Sequence, residues 1–166
     1  MTRFVAIASI GLVALIAGCG GSGVTQPPGT PLSVVRLRSE PYSFSYNSGL
    51  NKPARLVIRD PITWRTVWNQ IYATQTPVPS LPEIDFSREM VIVAALGSRS
   101  TGGYGILLTA ASEAEDEGAV VIVDSSSPGS NCMVTDAFTQ PVDIARLPLR
   151  RGSVSFTERS HVSNCG

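Results

Sequence analysis

The sequence predicts an α+β fold, a mainly antiparallel β-sheet with one packed amphipathic helix. Three observations predict it. Short apolar runs, some alternating and some continuous, recur between clusters of Gly, Pro, Ser and Asn, as strands and turns do. A single segment after Asp60-Pro61 carries large apolar residues at helical spacing. The run from Met90 to Leu96 is apolar throughout, as a central strand covered on both faces would be. One helix laid on a sheet is an α+β arrangement.

The elements follow in chain order. Leu32 to Arg38 alternates loosely around Val34 and Val35. Tyr42-Ser43-Phe44-Ser45-Tyr46 alternates strictly and reads as a half-buried strand. Turn residues from Asn47 to Pro53 precede a strand from Ala54 to Arg59. Asp60 can accept a hydrogen bond from a free amide of the first helical turn, and Pro61 tolerates the first helical position. Trp64, Val67, Trp68 and Ile71 then fall on one helix face, with Arg65, Thr66, Asn69 and Gln70 elsewhere. That face predicts packing against the sheet rather than an exposed aromatic stripe. Three prolines between Thr76 and Pro82 predict an extended surface loop. Tyr104 to Ala111 and Ala119 to Asp124 read as a hairpin around the acidic Glu113-to-Gly118 turn, and Ser125 to Ser130 as a loop. Val142 to Leu147 and Ser153 to Glu158 are the last strands.

The first 31 residues are read apart from this domain. Arg3, an apolar stretch of about 14 residues and Leu15-Ile16-Ala17-Gly18-Cys19 make a lipoprotein signal, residues 1–18. The stretch is shorter than the about 20 residues a spanning helix needs. Small residues ahead of Cys19 suit a signal peptidase with a narrow site, after which the cysteine carries fatty acyl chains such as palmitate. The expectation is lipidation at Cys19, an extracytoplasmic cell-envelope location and a membrane partner engaged through the lipid. Gly20 is not the aspartate linked to inner-membrane retention in lipoprotein sorting, which favours the outer membrane where the host has one. Residues 19–31, rich in Gly, Ser and Pro and without apolar periodicity, read as a flexible tether that does not pack. The domain proper is then 32–166.

Charge and cysteines narrow the function. The 13 basic and 13 acidic residues cancel, and loss of Arg3 leaves one net negative charge. No basic patch follows a phosphate backbone, so nucleic acid is not an expected partner. With Cys19 given to lipid, Cys132 and Cys165 remain, and an even pair in an oxidising compartment reads as a disulfide. The alternative, a metal site with His161, lacks a fourth ligand and any Cys-x-x-Cys spacing, so no metal is assigned. Neither a phosphate-binding loop nor a G-x-G-x-x-G helix start is present, and no G-x-S-x-G elbow supports a hydrolase. No cofactor and no catalytic residue are assigned.

One segment stands out. Gly97 to Gly105, GSRSTGGYG, joins the most apolar strand to the next one. Gly102 and Gly103 can take a positive φ or admit a close backbone, Arg99 and Thr101 offer donors, and Tyr104 offers an amphipathic ring. The segment is either a glycine-rich connection or a partner-facing loop with Arg99, Thr101, Gly102, Gly103 and Tyr104 as the contact residues.

The Trp-x-x-x-Trp helix, Ile84-Asp85-Phe86, the Met-Val-Ile-Val strand and Gly-x-Arg-x-Thr-Gly-Gly-Tyr together resemble the PrcB C-terminal domain family, named for a lipoprotein accessory subunit of a spirochaete surface protease complex. Pro128, Cys132, Thr139-Gln140-Pro141 and the run Ile144 to Pro148 are similar too. The resemblance runs from Leu56 to Phe156, with Thr101-Gly102-Gly103-Tyr104 its most specific part. It implies a small non-enzymatic domain that stabilises or docks an exported protease or another envelope protein. Two other readings stand beside it: a small-ligand or glycan-binding envelope module using the same loop, and a serine hydrolase using Ser100 or another serine with His161.

Overall fold

A computed structural model describes residues 27–37 and 47–165. The signal, Cys19, the tether up to residue 26 and the strand expected at Tyr42 to Tyr46 lie outside the described residues.

Among the described residues nine elements follow one another: β1 (Pro31–Leu32), β2 (Val35–Arg36), β3 (Ala54–Ile58), α1 (Pro61–Ile71), β4 (Glu89–Ala95), β5 (Gly105–Ala114), β6 (Gly118–Pro128), β7 (Val142–Pro148) and β8 (Val154–Ser163). The strands form two four-stranded sheets, ordered β1-β5-β6-β8 and β2-β7-β4-β3. The expected sheet is thus two, stacked face to face, with α1 on the outer face of the second. Pairing is antiparallel throughout except for β6 with β8, which run parallel.

The central strand β4 explains the layering. Met90 through Ala95 have no solvent exposure. Its period of two sends alternate residues to two cores. Val91, Val93 and Ala95 meet Trp64, Val67, Trp68 and Ile71 of α1. Met90, Ile92 and Ala94 meet Ile106, Leu108, Val121 and Val123 across the inter-sheet space. A strand covered on both faces must be apolar at every position.

The helix starts as its sequence requires. Asp60 is extended, at φ −147° and ψ 151°, and its carboxylate accepts from the amides of Ile62 at 3.0 Å and Thr63 at 2.8 Å. The proline-rich loop beyond it is fastened to the helix: the Trp64 indole donates to the Pro82 carbonyl at 3.0 Å and the Trp68 indole to Pro79 at 2.9 Å. Buried indole N–H groups need such partners, which is why an irregular loop can cover an apolar helix face.

Three readings are corrected. The tether stops short of residue 31. Ser112 donates to the Pro28 carbonyl at 2.7 Å and the Glu113 amide to Thr30 at 2.8 Å, so 28–31 lie along the edge of β5. Gly29, at φ +107°, passes so close to the Glu113 carbonyl that a Cβ would stand 2.3 Å from it. A segment without apolar periodicity packs here through its carbonyls. Ser125 to Pro128 are strand, not loop, because β6 is held between Gly105–Ile106 of β5 and Ser160–Ser163 of β8. For the same reason β8 runs on past Glu158 to Ser163. Backbone pairing on the flanks outweighs the low strand preference of serine.

The edge of β5 holds one more device. Beside the register shift between Leu108 and Ala110, the buried Asp143 carboxylate accepts from the Leu108 amide at 2.7 Å and from the Arg36 guanidinium at 3.1 Å. Arg36 in turn donates to the Leu108 carbonyl at 2.8 Å. The ion pair satisfies both backbone groups of Leu108 where β1 no longer covers the strand.

Candidate docking surface

The two sheets end together at one pole. There β4 leads into 97–104, and residues 129–141 join β6 to β7. The two connections are bonded to each other. Arg99 and Thr139 exchange both backbone hydrogen bonds, at 2.7 and 2.9 Å, in an isolated antiparallel bridge. The Thr139 hydroxyl donates to the Thr101 carbonyl at 2.9 Å, and the Gly102 amide to Thr135 at 2.9 Å. A third connection joins them: the Ser98 amide donates to Asn51 at 3.1 Å and the Ser48 hydroxyl to Gln140 at 2.9 Å. The Cys132–Cys165 disulfide, with Cα atoms 5.0 Å apart, ties the chain end to the same pole.

Within this frame the segment singled out by sequence is divided: Gly97 and Gly102 are buried, Arg99, Thr101 and Tyr104 half-buried, and Ser98, Ser100 and Gly103 exposed. The Arg99 guanidinium lies over the Tyr104 ring, 5.5 Å from its centroid, and Tyr104 packs against the inter-sheet core. The attraction of the cation for the ring holds a side chain whose Nε is buried without a hydrogen-bond partner among the described residues. Gly102 is buried, and a Cβ there would stand 3.2 Å from the Thr135 hydroxyl. Gly103 has φ +85° and lies at the surface. A Cβ there would come within 3.0 Å of both Pro128 and Val134, so conformation and space each call for glycine. Thr101 is half-buried, its carbonyl taken by Thr139.

The large exposed apolar groups come from the neighbouring connection. Met133 is 100% exposed and Phe138 73%, with Val134 beside them at 37%. Asp136 is the sole charged residue from 129 to 141. Scattered exposed apolar residues are ordinary. Two large ones within six positions, on a loop pinned at both ends, form a local apolar cap. Sequence reading overlooked it because three apolar residues in a turn-rich connection carry no periodicity. The available signal was their near absence of charged company.

Other features offer less chemistry. Ser100 and His161 are both exposed, His161 on β8, and no hydrogen bond joins them among the described residues. Also among the described residues, no group of His, Cys, Asp and Glu stands close enough to hold a metal ion, and no helix is long and apolar enough to cross a membrane. An open groove of about 570 Å³ runs between α1 and 81–86. Its Arg146 and Glu89 pair with each other at 3.1 Å.

Residues 90–148 match the family model described as PrcB C-terminal. The matched segment opens with β4 and closes with β7, so it contains the hairpin β5–β6 and both connections that build the pole. The tryptophan helix, β3 and β8 lie outside it. No curated protein and no solved structure matches the chain. PrcB C-terminal is an accessory-subunit domain family, and a protein partner is the kind of ligand it suggests. The bonded connections 97–104 and 129–141, with the exposed apolar cap, fall inside the matched segment.

Proposed function

We propose that this protein is a lipid-anchored accessory domain of the cell envelope that docks and stabilises an exported protein, with a secreted protease as the model partner. The observation that carries the reading is the coincidence of the PrcB C-terminal match with the loop pole. A rigid platform built from 97–104 and 129–141 presents groups to a partner without an ordering cost when the partner binds. Lipid at Cys19 would hold that platform at the envelope, where the partner is delivered.

Two measurements test the reading. Cys19→Ser should abolish processing and uptake of a fatty-acid probe; labelling of that variant overturns the anchor. Removal of the protein from cells should lower the steady-state level of one exported protein several-fold, as loss of a stabilising partner does. An unchanged envelope proteome overturns the accessory role.

A further inference from the structure

We infer that the apolar cap of Met133, Val134 and Phe138 is the docking surface, and that its occupant is an apolar patch on an exported protein rather than the bilayer that holds the lipid. The inference deepens the accessory reading and rests on lipid at Cys19.

The argument is one of reach. The described chain begins at Pro27, and 28–30 are fastened to Ser112 and Glu113 at the far end of β5. The cap lies at the opposite end of that strand, beside Gly103 and Pro128. Ten residues of β5 span about 30 Å at about 3.4 Å each. Cys19 to Pro27 reaches about 28 Å when fully drawn out. Pressing the cap squarely into the anchoring bilayer inverts the domain and lifts Pro27 about 30 Å from the lipid. Even at full extension, about 28 Å, the segment falls short of that distance. The anchored domain therefore stands on its charged end and presents the cap away from the membrane.

The cap is also built to be met from outside. The Cys132–Cys165 disulfide and the Arg99–Thr139 bridge fix its two ends, so docking does not have to order the loop. Met133 and Phe138 are types enriched in the apolar centres of interfaces, and only Asp136 adds a charge that would need desolvation.

The experiment places a photo-crosslinking phenylalanine analogue at position 138, or at position 116, in the full-length lipoprotein in living cells. Position 138 is expected to give one adduct, identified by mass spectrometry as an exported protein, and position 116 is not. Met133→Ser should reduce that adduct about tenfold, as loss of an interface anchor does, at an unchanged melting temperature. A lipid adduct at 138, an adduct with a second copy of this chain, equal yields from 138 and 116, or no adduct each overturns the inference. Failure of the anchor is read separately: wild-type protein that takes up no fatty-acid probe removes the reach argument whatever position 138 captures.

Discussion

The two ends of the β5–β6 hairpin are finished in opposite ways. At the tether end, charged side chains close the turns. Arg150 reaches Glu113 at 2.7 Å and the Gly118 carbonyl at 3.3 Å, and Arg59 donates to the carbonyls of Arg150 and Gly152. Asp116 and Glu117 hold positive φ and are exposed. At the loop end, backbone hydrogen bonds, the hydroxyls of Ser48 and Thr139 and one disulfide do the fastening, and apolar side chains are left in water. Arginine bonds to backbone satisfy a turn and keep it soluble, so the tether end is complete in itself. A covalent and backbone frame costs no exposed charge, so the loop end can display Met133 and Phe138 and still keep one shape. The difference marks which end is made to meet another molecule.

Both ends rest on one interior, and the largest expected effect comes from disturbing it. Trp68 is 1% exposed, meets Trp64 edge-on at 5.1 Å and covers the helix side of β4. Trp68→Ala should cost about 3–5 kcal/mol and lower the melting temperature by about 10 °C. Hydrogen exchange should quicken at both ends together. Exchange confined to the loop end would show that the ends fold as separate units, and the comparison would have to be redrawn.

A smaller and more local effect is expected at the loop end. The disulfide closes a separation of 33 residues. Replacing both cysteines by serine should cost roughly 4 kcal/mol in the chain-entropy model. Limited proteolysis should then cut within 129–138 first and leave 114–118 intact. Cleavage at both ends at similar rates would mean that the disulfide supports the whole sandwich rather than one pole.

These contrasts were unevenly legible in the sequence. The helix could be read because its signals are local: Asp60 as cap, Pro61 at the first position, four apolar residues on one face. β4 could be read because burial on two faces leaves no room for a polar residue. The division into two sheets could not, because it turns on a two-residue step, Leu32 to Val35, that crosses from one sheet to the other. Ser125 to Pro128 was misread because its strand character comes from neighbours distant in sequence. Gly103 was readable as a positive-φ candidate, and the structure adds the reason, Pro128 and Val134 in contact range. Tyr104 and Arg99 were visible as chemistry but not as a pair turned toward each other. Met133 and Phe138 went unread, since their one signal, large apolar residues with little charged company, carries no periodicity.

The smallest effect is a matter of pH, and it separates the ends by mechanism. Asp60 and Asp85 both belong to the tether half, where β3 ends and β4 begins. The Thr63 amide, ahead of the Thr63 side chain and the Ile62 amide, holds the Asp60 carboxyl below its ordinary 3.8. The Ser87 hydroxyl and then its amide do the same for Asp85. A carboxyl whose pKa is depressed by folding adds stability that is fully present above its unfolded value and is lost as pH falls through the folded one. The window therefore lies below about pH 4. The disulfide and the Arg99–Thr139 and Gly102–Thr135 backbone bonds do not titrate there. Between about pH 5 and pH 2.5, exchange at the Ile62, Thr63 and Ser87 amides, corrected for intrinsic rate, should accelerate while Arg99, Gly102 and Thr139 hold. Asp60→Asn keeps an acceptor for the first turn, since asparagine caps helices about as well as aspartate, and should flatten the pH response at Ile62 and Thr63 alone. Equal acceleration at both ends would mean that acid acts on the domain as a whole, and the tether end would lose its distinct electrostatic character.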